Sequence, residues 1–234
     1  MEREALSAAF LGTCLVLCIA AAKIAKCLMR KYAPDVILFG GAFTVRSQYE
    51  HIEHIIRKRC PFATIRVHCA PEELREDWWA RYTPLESEIQ YQRNLGWDEE
   101  KATYLAECYT YCADEKYVPA VVEKTLGVKS WWRQTIVVGF SNGCIPAFEL
   151  ASRMPPGACL WLASGVPSAR QQQLHIPKHL AQCIVTAGDR ENMWGGAWGV
   201  FIASPDAVHI RFHGSHCREP DDVCDSVFRI MTGQ

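Results

Sequence analysis

Apolar residues in this chain fall into short runs separated by longer polar stretches. Asp35-Val36-Ile37-Leu38-Phe39 is apolar on both alternating sides and ends at Gly40-Gly41. Ala63 to Cys69 alternates, with Ile65 and Val67 on one side. Similar runs follow at Gln134–Phe140, Cys159–Leu162, His179–Thr186 and Val208–His213. A run apolar on both sides suits a strand covered on both faces, as in parallel sheets. Between the runs the period lengthens. Gln48 to Arg59 sets Ile52, Ile55 and Ile56 on one helical face. Cys144–Met154 and Asp221–Met231 also read as helices, and Asp98–Leu126 reads as helix broken near Pro119. Strands alternating with helices predict an α/β fold, with a mostly parallel sheet covered by helices on both faces.

The N-terminus stands apart. Ala5 to Ala22 contains no charged side chain. As a helix it would run about 27 Å, close to the roughly 30 Å of a bilayer core. Lys23, Lys26, Arg30 and Lys31 follow it, and basic residues favour the cytoplasmic side. This apolar helix is therefore expected to be a membrane anchor over residues 1–31, preceding a cytosolic domain at 32–234. Two alternatives stay open. Ala20-Ala21-Ala22 is compatible with signal-peptide cleavage and secretion. The Ala, Gly, Thr and Cys content also suits a core helix of a soluble cytoplasmic protein.

Bulk properties narrow the function. The 234 residues are 49% hydrophobic, enough for one large core, and the formal net charge is −1. With no basic stripe, there is no electrostatic case for nucleic acid. Twelve cysteines occur, but no C-x2-C pair with a matching partner, so zinc is not implied. The absence of an Asn-x-Ser/Thr sequon leans weakly towards a reducing compartment.

The chemistry gathers at Gly139-Phe140-Ser141-Asn142-Gly143. This G-x-S-x-G lies between an apolar strand and an apolar-periodic helix. A serine there is held at a sharp turn with its hydroxyl pushed out beyond the sheet. A serine hydroxyl is a poor nucleophile at neutral pH. It needs a base within hydrogen-bond reach, and the base needs an acid to fix its tautomer. Downstream, Asp189 and Glu191 follow the strand at 183–187, and His209, His213 and His216 lie on or after the last strand.

These motifs resemble the α/β-hydrolase superfamily over roughly Asp35 to Met231, and the elbow is similar to that of its small carboxylesterase and acyl-thioesterase branch. The resemblance implies the order serine, acid, histidine. Gly188-Asp189-Arg190-Glu191 resembles the family's G-x-x-D, which puts Glu191 at the acid position with Asp189 as alternative. Gly214-Ser215-His216 resembles the turn carrying the base, so His216 is the expected base. His213, at the strand end, is expected to be packed or half-buried. The oxyanion hole would use the N–H groups of Asn142 and Ala42. The family more often has His-Gly where this chain has Gly40-Gly41.

The segment 71–97 holds Trp78, Trp79, Tyr82, Tyr91 and Trp97 and reads as aperiodic. A long loop of this kind is a candidate cap over the site. Only about 16 residues separate Gly165 from Ala181, too few for a lid there. Phe43, Phe140, Trp194 and Trp198 are candidates to line an acyl or aryl pocket. The implied reaction is cleavage of a carboxylic ester or thioester through an acyl-enzyme on Ser141. No metal or organic cofactor is implied. A small-molecule or lipid-linked acyl substrate fits, the latter if residues 5–22 meet a membrane. The rival reading is a catalytically inactive binding or scaffolding module of the same fold.

Overall fold

The computed structural model describes residues 2–41, 46–69, 80–82, 86–109, 111–113, 117–128, 133–165, 176–189, 207–215 and 219–233. In chain order these form α1 (Glu2–Tyr32), β1 (Asp35–Phe39), α2 (Glu50–Arg59), β2 (Thr64–His68), β3 (Ala80–Tyr82), α3 (Glu86–Asn94) and α4 (Glu99–Tyr109). There follow β4 (Tyr111–Ala113), α5 (Tyr117–Gly127), β5 (Thr135–Phe140), α6 (Cys144–Ser152), β6 (Cys159–Ala163), β7 (Gln182–Gly188), β8 (Val208–Phe212) and α7 (Asp221–Thr232).

Six strands make one sheet in the order β2-β1-β5-β6-β7-β8. Every pairing in it is parallel. The period-2 alternation along each strand divides the core in two. Ile37, Phe39, Val137, Leu160 and Leu162 face Val118 and Val122 of α5 and Ile145, Phe148 and Leu150 of α6. Val36, Leu38, Ile136, Val138 and Trp161 face Ile52, Ile55 and Ile56 of α2 and Val227, Phe228 and Met231 of α7. Each large side chain buried this fully contributes about 1.5–3 kcal/mol. The outcome is a sheet with helices on both faces, as the alternating runs predict.

The order of strands reverses between β1 and β5. Successive strands run outward from that point in both directions. In open parallel sheets the crevice at such a reversal, beyond the carboxyl ends of the strands, is where ligands bind. Ser141 directly follows β5, one of the two strands that flank it.

The middle of the chain differs from expectation. Residues read as an aperiodic loop include helix α3, and the helix read over Asp98–Leu126 is two helices with β4 between them. The helix is interrupted by β4, not at Pro119. Pro119 sits in the first turn of α5, where its missing N–H has no intrahelical partner to lose. β3 and β4 pair antiparallel, apart from the main sheet. Among the described side chains, α3 and α4 meet through Ile89 against Ala102 and Ala106.

α1 is one helix of 31 residues. The expected membrane anchor is not supported: among the described residues no helix is long and apolar enough to cross a membrane. The side chains before Cys14 lie outside the described set. Leu15, Val16, Leu17 and Ile24 are exposed. At its end the helix is tied to the sheet, since Arg133 Nη2 donates to the Arg30 carbonyl at 3.0 Å.

Candidate active site

The turn at Ser141 is built by close backbone approach. Ser141 has φ of 51°, a left-handed conformation that non-glycine residues rarely adopt. It opens a 3₁₀ turn, Ser141–Gly143, that leads straight into α6. A Cβ on Gly139 would lie 2.6 Å from Cys144 Cα, and one on Gly143 would lie 2.4 Å from the Phe39 carbonyl oxygen. Both glycines of G-x-S-x-G are therefore required by space. The strand, the turn and the next helix leave no room for a side chain between them. Phe148, Leu150 and Ile145, all buried, hold α6 against the sheet and keep the turn compressed.

Two neighbouring segments close on the serine. Gly41 lies beside it, with a virtual Cβ 2.9 Å from Ser141 Cβ. The Gly41 N–H donates to the Tyr49 hydroxyl at 2.9 Å, which fixes the start of the loop after β1. Gly165, after β6, abuts the serine's own backbone, with a virtual Cβ 2.1 Å from the Ser141 carbonyl oxygen. Asn142 is buried, and its side-chain oxygen has no partner among the described residues.

An acid–base couple stands at the carboxyl ends of β7 and β8. His213 Nδ1 and Asp189 Oδ2 are 2.8 Å apart. The Gly214 N–H donates to Asp189 Oδ1 at 3.0 Å, and the Asp189 N–H donates to the Phe212 carbonyl at 2.9 Å. One carboxylate thus holds both a ring and a backbone amide. His213 is exposed, against the expectation of a packed or half-buried place, because the strand ends at Phe212 and that residue takes the inward position. No local motif links Asp189 with His213, which lie 24 residues apart in the chain. Only the parallel register of β7 and β8, with Gly188 opposite Phe212, brings the two loops together.

A chain that presents a strained serine after the fifth strand and an acid–base couple after the last two has a known architectural counterpart. Esterase PE8 superposes with a TM-score of 0.54 at 15% identity, covering 86% of this chain and 93% of that one. The chain has the α/β-hydrolase fold. Weaker likenesses include a putative hydrolase of the alpha/beta superfamily from Xanthomonas campestris pv. campestris, TM-score 0.47, 12% identity, covering 86% of this chain and 98% of that one. Another is Est1E from Butyrivibrio proteoclasticus, TM-score 0.47, 10% identity, covering 87% and 90% respectively. No protein-family model and no curated protein matches the sequence.

Within the α/β-hydrolase fold the other predicted site residues sort as follows. Phe140 is a core residue, 3% exposed, its ring between Tyr49 at 5.2 Å and Trp161 at 5.4 Å. It was expected to line the pocket. Strand alternation instead turns it towards α2 and α7. His216, Glu191, Ala42, Phe43, Trp194 and Trp198 lie outside the described residues. His68, at the carboxyl end of β2, stacks on Phe39 at 5.1 Å. Burial, reinforced by Lys124 and Arg66, lowers its pKa to about 4, so it is neutral at pH 7.

Proposed function

We propose that this chain is a serine hydrolase that cleaves carboxylic esters or thioesters through an acyl-enzyme on Ser141. The observation that carries the reading is the conformation of Ser141: strained at φ 51°, at the end of β5 and beside the reversal of strand order. Strain of this kind costs roughly 1–3 kcal/mol and concentrates at functional sites. The named activity of esterase PE8 points the same way.

The base comes from the loop that follows β8. The Asp189–His213 couple supports His213 in that role, with Asp189 on Nδ1 fixing the tautomer so that Nε2 can take the serine proton. The sequence pattern favours His216 with Glu191. In either case the serine oxygen attacks the acyl carbonyl and the alcohol or thiol leaves carrying the proton. Water, deprotonated by the same histidine, then releases the acid. Asn142 and Ala42 are the proposed oxyanion donors.

The unit formed by β3, α3, α4 and β4 is the proposed cap over the acyl pocket. Its ends are adjacent, because Ala80 pairs with Ala113. Residues 80–113 can therefore be replaced by a short linker. An unchanged preference for acyl chain length in that variant would remove the cap from the scheme.

The test of the whole reading is labelling by a fluorophosphonate probe. Wild type is expected to react, and Ser141→Ala to be silent while keeping its melting temperature. Of His213→Ala and His216→Ala, the variant that loses labelling on the order of 10³-fold or more names the base. A folded wild type that never labels would turn the assignment to a binding module.

A further inference from the structure

One carboxylate in the interior plays no part in the acid–base couple. Glu219 lies in the segment between β8 and α7 and is 6% exposed. Its Oε1 accepts from the Ser164 hydroxyl at 2.8 Å and from the Thr186 hydroxyl at 3.2 Å. Thr186 in turn accepts from Trp161 Nε1 at 3.0 Å. Three positions are joined by this network: the end of β6, the body of β7, and the segment that leads from the histidines to α7.

Ser164 is the informative member. Among the described residues only two non-glycine residues have positive φ: Ser141 at 51° and Ser164 at 48°. Ser164 is completely buried, and its amide donates to the Thr186 carbonyl at 2.9 Å. Its left-handed turn is what brings Gly165 against the Ser141 carbonyl. A strained residue persists only when its surroundings over-determine it. Here those surroundings are the Glu219 carboxylate on its side chain and Thr186 on its backbone. Burying a carboxylate is costly without such donors, so chance does not readily leave one under an elbow.

We propose that Glu219 is a positioning residue for Ser141. It clamps Ser164 in the left-handed conformation, which seats Gly165 under the nucleophile, and it fixes the far end of the segment that carries His213 and His216. Asp189 fixes the near end through Gly214. The proposal rests on Ser141 being the nucleophile, as argued above. It adds that the serine's geometry is held from below by a buried carboxylate outside the acid–base pair.

The experiment measures fluorophosphonate labelling rate, and kcat and KM for p-nitrophenyl acetate, with folding followed by circular dichroism. Glu219→Ala is expected to lower kcat and labelling rate on the order of 10²-fold, with KM within about twofold, because small misplacements of a nucleophile cost about that much. Glu219→Gln keeps an acceptor oxygen for both hydroxyls and should recover most of the loss. Ser164→Gly adopts the same backbone without strain but lacks the hydroxyl, and should lose about tenfold. The double variant should be no worse than Glu219→Ala, since the two share one contact. A folded Glu219→Ala that labels at the wild-type rate overturns the proposal while leaving the nucleophile assignment intact. If Glu219→Ala does not fold, Ser164→Gly at the wild-type rate overturns it equally. A wild type that never labels overturns both readings.

Discussion

The two rims of the parallel sheet are built on opposite plans. At the amino rim, Asp35 is 1% exposed at the start of β1 and is flanked by Arg66 at 3.7 Å and Arg133 at 3.5 Å. Arg133 also donates to Thr64 Oγ1 at 2.8 Å and to the Arg30 carbonyl. Gln134 donates to the Met231 carbonyl at 2.9 Å. That rim ties α1 and α7 to the sheet with relaxed backbone. At the carboxyl rim stand both positive-φ serines, the tightest glycine contacts, the exposed Asp189–His213 couple and the buried Glu219. Charges at one rim stabilise the fold. At the other, the fold holds groups in costly arrangements, which is what a reactive site requires.

The largest effects should follow from filling space at the carboxyl rim. Gly165→Ala puts a methyl 2.1 Å from the Ser141 carbonyl oxygen, so the elbow or the end of β6 must move. Labelling of Ser141 should slow by about 100-fold, and the melting temperature should fall. A wild-type rate in this variant would show that Gly165 does not seat the elbow.

A change at the amino rim should do the reverse. Asp35→Asn leaves two guanidinium groups facing a neutral amide. Breaking a well-buried pair costs about 3–5 kcal/mol. Both arginines are partly wet, so about 2–3 kcal/mol is expected in urea unfolding, with the labelling rate per folded molecule unchanged. Equal losses in activity would erase the distinction between the rims.

The smallest effect concerns pH. His68 has an ordinary pKa of 6.5 when unfolded and about 4 when folded. Between those values the unfolded chain binds the extra proton. Stability is therefore complete above pH 6.5 and declines as pH falls towards 4, by on the order of 2 kcal/mol. His68→Gln should flatten this part of a urea-midpoint titration. An identical slope in the variant would assign the pH dependence elsewhere.

Much of this was legible beforehand where one element carried its own pattern. Asp35–Phe39 was read with the bounds it has, and the elbow was read together with its strand and helix. The small β3–α3–α4–β4 unit is less legible: α3 is strongly polar, and among the described side chains α3 and α4 meet through one isoleucine against two alanines. The exposure of His213 and its contact with Asp189 are not legible for a different reason: Asp189 lies 24 residues away, just after β7, and only the register of β7 with β8 brings the two loops together. Phe140 adjoins Ser141 in sequence, but alternation along β5 sends its side chain into the core.

The sequence by itself determined the class of fold, the position of the Ser141 turn and the need for glycine on either side of it. Those follow from local period and local crowding. Only the tertiary structure decided which strand ends meet, and with them the Asp189–His213 couple, the left-handed Ser164 and the Glu219 clamp. Each of these joins residues from separate strands. Their hydrogen bonds depend on parallel register and on how closely two backbones approach, and no single stretch of chain encodes either.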